Sequence, residues 1–459
     1  MRTDTDMFKN KRATVMGLGS FGGGIGAARF LAGCGAQVTV TDMKSEHDLR
    51  ESVQVLDGCG IRFVLGHHDM SDFTDTDLVV ASPAVPRESD YIIAARTANV
   101  SLTTEVGLFV ERCPAAICGI TGSNGKTTTV SMIRSILECS GAPFHVGGNI
   151  GGSLLSSLAT IKPDDHVVLE LSSFQLEWLD DMGWSPRIAA VLNIMPNHLD
   201  RHGTLERYRE AKTAILKHQA SVDTALLVSD DPGSSSLRDM VKGTTVWVGT
   251  DHLHDGITVD NGWIVERRGA VTAPICDVDG LLLPGKHNIL NAMTAAACSR
   301  EMGIGFDAVA QGLASFTGVP HRLEYIGKHN GIRYYNDSKA TTPDAALAAL
   351  SSFDCTVIPI LGGYDKGISF EHAAREMSGK VTWAALIGET AQAIAGHLDS
   401  GGIESARFQS LDEAFSACID HAETGDVIVL TPGCASYDMF PNYEVRGELF
   451  RDMVKRHIG

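Results

Sequence analysis

This chain of 459 residues has no basic excess, no paired cysteines and no long apolar run. Each absence removes a class of function. Acidic residues number 56 against 38 lysines and arginines, a formal charge of −18. A surface of that sign repels nucleic acid and anionic lipid, so neither is expected as a main partner. An anionic ligand must then be held by local glycine amides, lysines and arginines against the overall field. The ten cysteines, at 34, 59, 113, 118, 139, 276, 298, 355, 418 and 434, include no CxxC pair and no His/Cys group at zinc spacing. They read as buried thiols in a reducing compartment. No apolar stretch approaches the ~18 residues of a membrane span, and the opening MRTDTDMFKNKR lacks an apolar h-region. Neither a membrane helix nor a signal peptide is expected, which makes the cytoplasm the expected location.

Composition is otherwise that of a globular protein, 44% hydrophobic and 20% charged. A chain of this length exceeds one ordinary core and suggests about three domains. The stretch that organises the middle one is ICGITGSNGKTTT, Ile117 to Thr129. Apolar residues lead into Gly122, Gly125, Lys126 and Thr127, and helical spacing follows, so the order is strand, glycine turn, helix. Such a turn aims backbone N–H groups at a phosphate, adds the positive end of a helix, and offers Lys126 to outer phosphates and the Thr127 hydroxyl to Mg²⁺. The general P-loop would carry its first glycine at position 120, which here is Ile120.

The N-terminal stretch holds a second glycine turn. The strand Ala13 to Leu18 runs into Gly17, Gly19 and Gly22 as GLGSFG, followed by a helix around Ala27 to Ala32 and the strand QVTVTD ending at Asp42. A GxGxxG turn with an acidic residue ~20 positions on is the dinucleotide fingerprint, which by itself predicts NAD and an oxidoreductase. A strand Leu78 to Ala81 then enters SPAVP, a turn at a strand end where open α/β sheets bind ligands.

Beyond the phosphate loop, VVLELSSFQLE reads as a buried strand whose end carries Glu170, Ser172, Ser173 and Gln175. The strand Ile188 to Leu192 leads to NIMPNHLDRHG and a helix holding Tyr208 and Lys212. From about Thr224 to Leu283, short strands alternate with Asp/Asn/Gly turns, which suggests a small β annex. Strands near Gly331 to Tyr335, Val357 to Leu361, Trp383 to Ile387 and Val427 to Thr431 form a third α/β unit whose polar loops are NDSKATTP, GGYDKG and TPGCASYDMFPNYEVRG. The expected fold is α/β in three domains: 1–104 Rossmann-like, 105–318 P-loop ATPase-like with the annex, and 319–459 Rossmann-like.

Chemistry concentrates at a few residues. Glu170 stands where a Mg²⁺ carboxylate would, and a lone glutamate inside a buried run is costly unless paired or metal-bound. His198 and Asp200 follow a strand, so a second metal or acid/base work stands beside the plain reading of a satisfied polar residue. Lys339 and Lys366 lie in third-domain loops as candidates for phosphate and carboxylate.

TGSNGKTTT, LELSSFQLE, NHLDRH, YREAK, GKHNILNA, HRLE, NDSKAT, GGYDKG and the segment around CASYDMF occur in an order that resembles the Mur ligases of peptidoglycan synthesis, over almost the whole chain. The short GxxGKT loop is this family's form. The resemblance implies ATP as phosphoryl donor, two Mg²⁺ sites and amide-bond formation. LELSSFQLE with NDSKAT and GGYDKG implies UDP-N-acetylmuramoyl-L-alanine and D-glutamate as substrates, with L-glutamate or another amino acid as the alternative. The family's DNPR-type motif for a diamino acid is absent. It further implies that Gly17, Gly19, Ser20, Phe21 and Gly22 face the UDP diphosphate rather than a nicotinamide nucleotide, with Asp42 near uridine. Ser82 matches an SPG turn whose glycine is Ala84 here, and Asn149, Ser172 and Gln175 would contact the muramoyl part. Gly122, Ser123, Asn124, Gly125, Lys126, Thr127, Thr128, Asn288, Asn291, Arg322 and Asp337 would bind ATP. Thr127, Glu170 and His198 would hold metal, with Lys212 as a CO₂-derived carbamate. Lys339, Thr341, Lys366, Ser436 and Tyr443, the last commonly Phe in the family, would surround the amino acid. A monomer is expected.

Overall fold

Buried β-branched runs of four to six residues, most of them followed by a helix, become parallel strands in this protein. A computed structural model describes residues 7–18, 22–250 and 255–459. Gly19, Ser20 and Phe21, named above for diphosphate binding, lie outside the described residues. The first sheet has five parallel strands, β1 (Arg12–Met16), β2 (Gln37–Asp42), β3 (Arg62–Leu65), β4 (Leu78–Ala81) and β5 (Ser101–Thr103), in the order β3-β2-β1-β4-β5. The chain leaves β1 on one side and returns on the other, so the crevice at the ends of β1 and β4 is a topological switch point, the place where such sheets take ligands. Gly17 and Ser82 meet there. Helix α1 (Gly23–Gly33) follows the turn. Gly24 lets it begin close to the strand end: a Cβ at this position would lie 2.4 Å from the Gly17 carbonyl oxygen.

Helix α2 (Glu105–Val110) leads to the second sheet, which has nine strands. They are β6 (Ile117–Thr121), β7 (Phe144–Gly148), β8 (His166–Glu170), β9 (Ile188–Val191), β10 (Thr224–Val228), β11 (Thr244–Val248), β12 (Gly256–Asp260), β13 (Trp263–Arg268) and β14 (Val271–Asp277), in the order β14-β13-β12-β11-β10-β9-β6-β8-β7. β6 lies between β8 and β9, again at a switch point, and carries the phosphate loop at its end. Ile120 sits inside β6 at 0% exposure, so the strand runs on where a longer loop would have begun. The β annex is continuous with this sheet. β10 and β11 are parallel members of it, and only β12 to β14 form an edge meander, entered by the antiparallel β12–β13 pair.

VVLELSSFQLE divides differently from the sequence reading. The strand stops at Glu170, and helix α4 (Ser173–Asp181) takes Ser173 and Gln175, with Ser172 as its N-cap in a Ser172/Gln175 capping box. Trp178 of α4 packs among Met16, Phe73, Val79, Ala81, Ile92 and Ala95, so the helix after β8 completes the core under the first sheet. Helix α3 (Lys126–Ser140) follows the phosphate loop and α5 (Leu205–Lys217) carries Tyr208 and Lys212.

The third sheet contains β15 (Glu324–His329), β16 (Ile332–Asn336), β17 (Val357–Leu361), β18 (Trp383–Leu386), β19 (Glu404–Arg407) and β20 (Val427–Leu430), in the order β15-β16-β20-β17-β18-β19. It is parallel apart from the β15–β16 hairpin. The chain forms two compact units, Met1–Ile275 with Met293–Ala310, and Cys276–Ala292 with Gln311–Gly459. The first holds two sheets and the second holds the third, with the start of helix α6 (Lys286–Glu301) and the final helix α7 (Tyr443–Ile458).

Candidate active site

Glycine at position 125 makes the phosphate loop work as a helix cap. Its φ of 84° is left-handed, a conformation that costs other residues, and it sets α3 running from Lys126. The first turn of an α-helix presents N–H groups to whatever lies beyond its N-terminus, which suits the start of α3 to an anion. The upstream half of the loop is clamped from β9. The Ser123 N–H donates to the Asn193 carbonyl (3.0 Å), the Asn124 N–H to Asn193 Oδ1 (2.8 Å), and Asn193 Nδ2 to the Asn124 carbonyl (3.1 Å). The Ser123 hydroxyl donates to the Met195 carbonyl and accepts from the Met195 N–H and from Tyr208 OH at 3.0 Å. Ser123 and Asn124, expected to bind ATP directly, have these groups engaged in shaping the loop. Asn193 was not singled out in the sequence. Its signal was its place directly after a strand. Asn193→Ala is expected to raise KM for ATP about tenfold with a smaller change in kcat, because it releases the loop geometry without touching the reacting atoms; steady-state kinetics at varied ATP checks this.

Lys126 Nζ bends back onto the carbonyls of Gly122 (2.8 Å) and Ser123 (3.2 Å). Lys212 Nζ reaches the same Gly122 carbonyl at 2.8 Å, and Thr121 Oγ1 at 3.3 Å. Lys212 is 1% exposed. Burial, then the charge of Lys126, push its ammonium well below the usual lysine range, while Glu170 pulls the other way. The amine is pinned under the loop, and its neutral form is favoured relative to an ordinary lysine.

Glu170, also 1% exposed, receives the Thr127 hydroxyl at Oε2 (2.9 Å) and the Asn149 side-chain amide at Oε1 (2.8 Å). The Asn149 N–H also donates to the Glu170 carbonyl at 2.8 Å. Thr127, Glu170, Lys126 and Lys212 therefore form one cluster. Asn149 ties it to a cavity of about 540 Å³, whose wall includes Gly17, Gly24, Ser82, Glu105, Asn149, Ser172 and Gln175. Asp42 lies behind that wall. Its carboxylate accepts the N–H of Leu18 and of Lys44, each at 2.9 Å, so it fixes the glycine turn.

His198 is exposed and starts the one-turn helix Leu199–His202 at a φ of 51°. Its ring lies 5.2 Å from that of Phe174. Asp200 is exposed beside it, and Arg201 donates to the carbonyls of Ala84 and Val85, joining this loop to the SPAVP turn. His202, unnoticed in the sequence, anchors it. Its Nε2 is 3.0 Å from Ser173 Oγ and its Nδ1 is 3.5 Å from Glu177. Among the described residues, no three His, Cys, Asp or Glu side chains are grouped to hold a metal. The oxygen pair Thr127–Glu170 fits Mg²⁺, which takes few protein ligands and completes its shell with phosphate and water.

In the second unit Asp337 is 6% exposed and accepts from the Leu323 N–H and Thr431 Oγ1, each at 3.0 Å. Burial pushes its carboxyl up to about 7. Arg322, Lys339 and Lys366 are exposed. Lys339 Nζ lies 5.8 Å from the Tyr443 ring centre, and the Lys366 turn is tied by the Tyr364 N–H to the Ala435 carbonyl, next to buried Ser436. Thr341 is half-buried. Arg446, 1% exposed, holds these loops together by donating to Ser338 Oγ and to the carbonyls of Ser338, Cys434 and Ala435; burial pushes it down to about 10. Nothing in the sequence marks Arg446 as buried. Asn288 and Asn291 pair at 3.3 Å on α6, and Asn288 also bonds the Pro284 carbonyl.

Three family models match the chain. They are the Mur ligase MurD-like N-terminal domain over residues 11–104, the Mur ligase middle domain over 120–299, and the Mur ligase, glutamate ligase domain over 321–434. The chain is 41% identical to the UDP-N-acetylmuramoylalanine--D-glutamate ligase of Roseiflexus sp. (strain RS-1), covering 97% of this chain and 98% of that one. It is 38% identical to the protein of the same name from Koribacter versatilis (strain Ellin345), over 98% of each. MurF from Acinetobacter baumannii superposes with a TM-score of 0.59 at 17% identity over 98% of each chain, a likeness of fold.

Proposed function

The chain belongs to the Mur ligase family, and from that premise we propose that it joins D-glutamate to UDP-N-acetylmuramoyl-L-alanine, with ATP driving the amide bond. The observation that carries the reading is Glu170 bonded on one side to the phosphate-loop Thr127 and on the other to Asn149 in the cavity wall. Through it, the γ-phosphate side of one site adjoins the end of a nucleotide-sugar cavity. With that reading the Gly17 turn is assigned to the substrate's UDP rather than to a nicotinamide nucleotide, in keeping with a MurD-like N-terminal domain over residues 11–104.

A carboxylate is a poor acyl donor. The L-alanyl carboxylate oxygen therefore takes the γ-phosphoryl group of ATP, releasing ADP, and the glutamate amine then attacks the acyl carbon, expelling inorganic phosphate and giving up a proton. Mg²⁺ at Thr127 and Glu170, and a second ion toward His198 and a carbamate on Lys212, would supply charge neutralisation for the transferring phosphoryl group. The first-turn N–H groups of α3 hold the phosphates, and Lys126 swings from the Gly122 and Ser123 carbonyls onto them. Burial of Lys212 favours the unprotonated amine that CO₂ addition needs. In the second unit, Lys339, Lys366, Ser436 and Tyr443 offer cations and hydroxyls to the two carboxylates of glutamate, while Asn288, Asn291 and Arg322 are assigned to ATP. No helix among the described residues is long and apolar enough to cross a membrane.

Phosphate release measured with UDP-N-acetylmuramoyl-L-alanine against a panel of D and L amino acids tests the reading. Release is expected with D-glutamate and only when both substrates are present. Release that ignores the amino acid, or that prefers L-glutamate, would count against it.

A further inference from the structure

The nucleotide-sugar cavity must accept a diphosphate, yet its wall contains a carboxyl group, that of Glu105. Glu105 opens helix α2 behind the N-cap Thr104, and its Oε1 accepts a hydrogen bond from Ser153 Oγ. Ser153 is itself fixed. Its hydroxyl accepts the Leu155 N–H as the cap of the short helix Leu154–Ser157, and its Cβ lies where a side chain on Gly26 would begin, 2.2 Å from an ideal Cβ there. The chain Glu105–Ser153–Gly26 therefore holds the carboxyl beside the first turns of α1, whose Gly23 and Gly24 line the same cavity as Gly17 and Glu105, and a helix N-terminus there suits an anion. A charged carboxylate in that place would repel the ligand the cavity is built for, whereas a protonated one is a donor.

We propose that Glu105 is a substrate-binding residue of the nucleotide-sugar cavity, presenting a carboxylic acid O–H to an oxygen of the diphosphate group at the head of α1. This rests on the reading of the cavity given above and names one of its polar contacts. The surroundings favour the acid form. Burial pushes the Glu105 carboxyl up, and the Ser153 hydrogen bond opposes this less strongly. The elements packed against α2 are α1, the Leu154–Ser157 turn and α4. Their titratable and charged groups are Arg29 on α1 and Glu177, Asp180 and Asp181 on α4, and among the described residues none of these acts on the Glu105 charge. With Ser153 donating to Oε1, the proton of the acid form on the other carboxyl oxygen is the donor left to meet a ligand oxygen.

The consequence is a pH dependence of binding with a definite sign. A group whose pKa is raised holds its proton at low pH and loses it as pH rises, so affinity for the diphosphate falls with rising pH as the donor becomes a repelling anion. Titration calorimetry of the full chain with UDP-N-acetylmuramoyl-L-alanine, from about pH 5 to about pH 9, reads this directly. The wild-type dissociation constant is expected to rise about tenfold across the range, and Glu105→Gln, which keeps a donor and cannot ionise, should flatten that rise. Glu105→Ala should weaken binding about ten- to a hundredfold at the acid end, with Glu105→Gln closer to wild type there. ADP affinity, held by a separate loop, should stay constant in both variants and shows that each is folded. A Glu105→Gln profile as steep as wild type, or Glu105→Ala binding as tightly as wild type, overturns the proposal alone. A wild-type chain that binds ADP but not the nucleotide sugar overturns the cavity assignment and the proposal with it.

Discussion

Lys212→Ala is expected to lower kcat by at least about a hundredfold, with a partial return of activity when a short carboxylic acid such as formate or acetate is added. The loss follows from where the amine sits. Lys212 shares the Gly122 carbonyl with Lys126, so two lysines converge on one acceptor under the phosphate loop. Burial first, and then the neighbouring Lys126 charge, hold the Lys212 pKa well below the usual lysine range. A neutral amine holds the loop but adds no negative charge to a metal site. Converted to a carbamate it would supply a carboxylate, and a small acid diffusing into the space left by Lys212→Ala would replace that group alone. Rescue that rises with acid concentration and saturates supports the carbamate; no rescue at any concentration leaves Lys212 as a loop support only.

The same lysine predicts a stability slope. Its folded-state pKa lies below that of the unfolded chain, so between the two values the unfolded state binds more protons and stability rises with pH, up to the ordinary lysine range near ~10.4. Lys212→Ala should lack that slope. Denaturant midpoints of both proteins at several alkaline pH values compare them directly.

Local signals in the sequence carried the elements around the phosphate loop. The strand before Gly122 and the helix from Lys126 follow from an apolar run, two glycines and helical spacing, all within one short stretch, and β2, β4 and β17 fall at the expected residues for the same reason. Pairing was less visible. The alternation from Thr224 to Leu283 fits a separate annex as well as an edge of the main sheet, because strand order depends on partners distant in sequence. The Ser172–Gln175 capping box was a local signal for the start of α4, masked by the apolar run that precedes it. Asn193 and His202 clamp loops that lie next to them only in the folded chain. Arg446 reads as a surface cation, and its burial is comprehensible only once two loops supply it with four oxygen acceptors.

Glu170→Ala is expected to reduce kcat by about a thousandfold or more, the largest effect of any single change outside the phosphate loop. Its two oxygens have different partners, and the difference makes the role testable. Oε2 faces the Thr127 hydroxyl and so the phosphate loop, whereas Oε1 faces Asn149 and the cavity. If Glu170 acts as the bridge between the two sites, removing Asn149 should leave ATP affinity nearly constant while lowering kcat about ten- to a hundredfold, because the carboxylate loses the partner that fixes its rotamer rather than its own charge. The two changes should then be strongly non-additive: in Glu170→Ala, a further Asn149→Ala should cost far less than it does in the wild type, since the group that Asn149 positions is already gone. A double variant whose loss equals the product of the two single losses would mean that Asn149 serves the substrate directly. In that case the contact between the cavity and the phosphate loop would have to run through Ser172 and Gln175, which stand in the same cavity wall just beyond the end of β8.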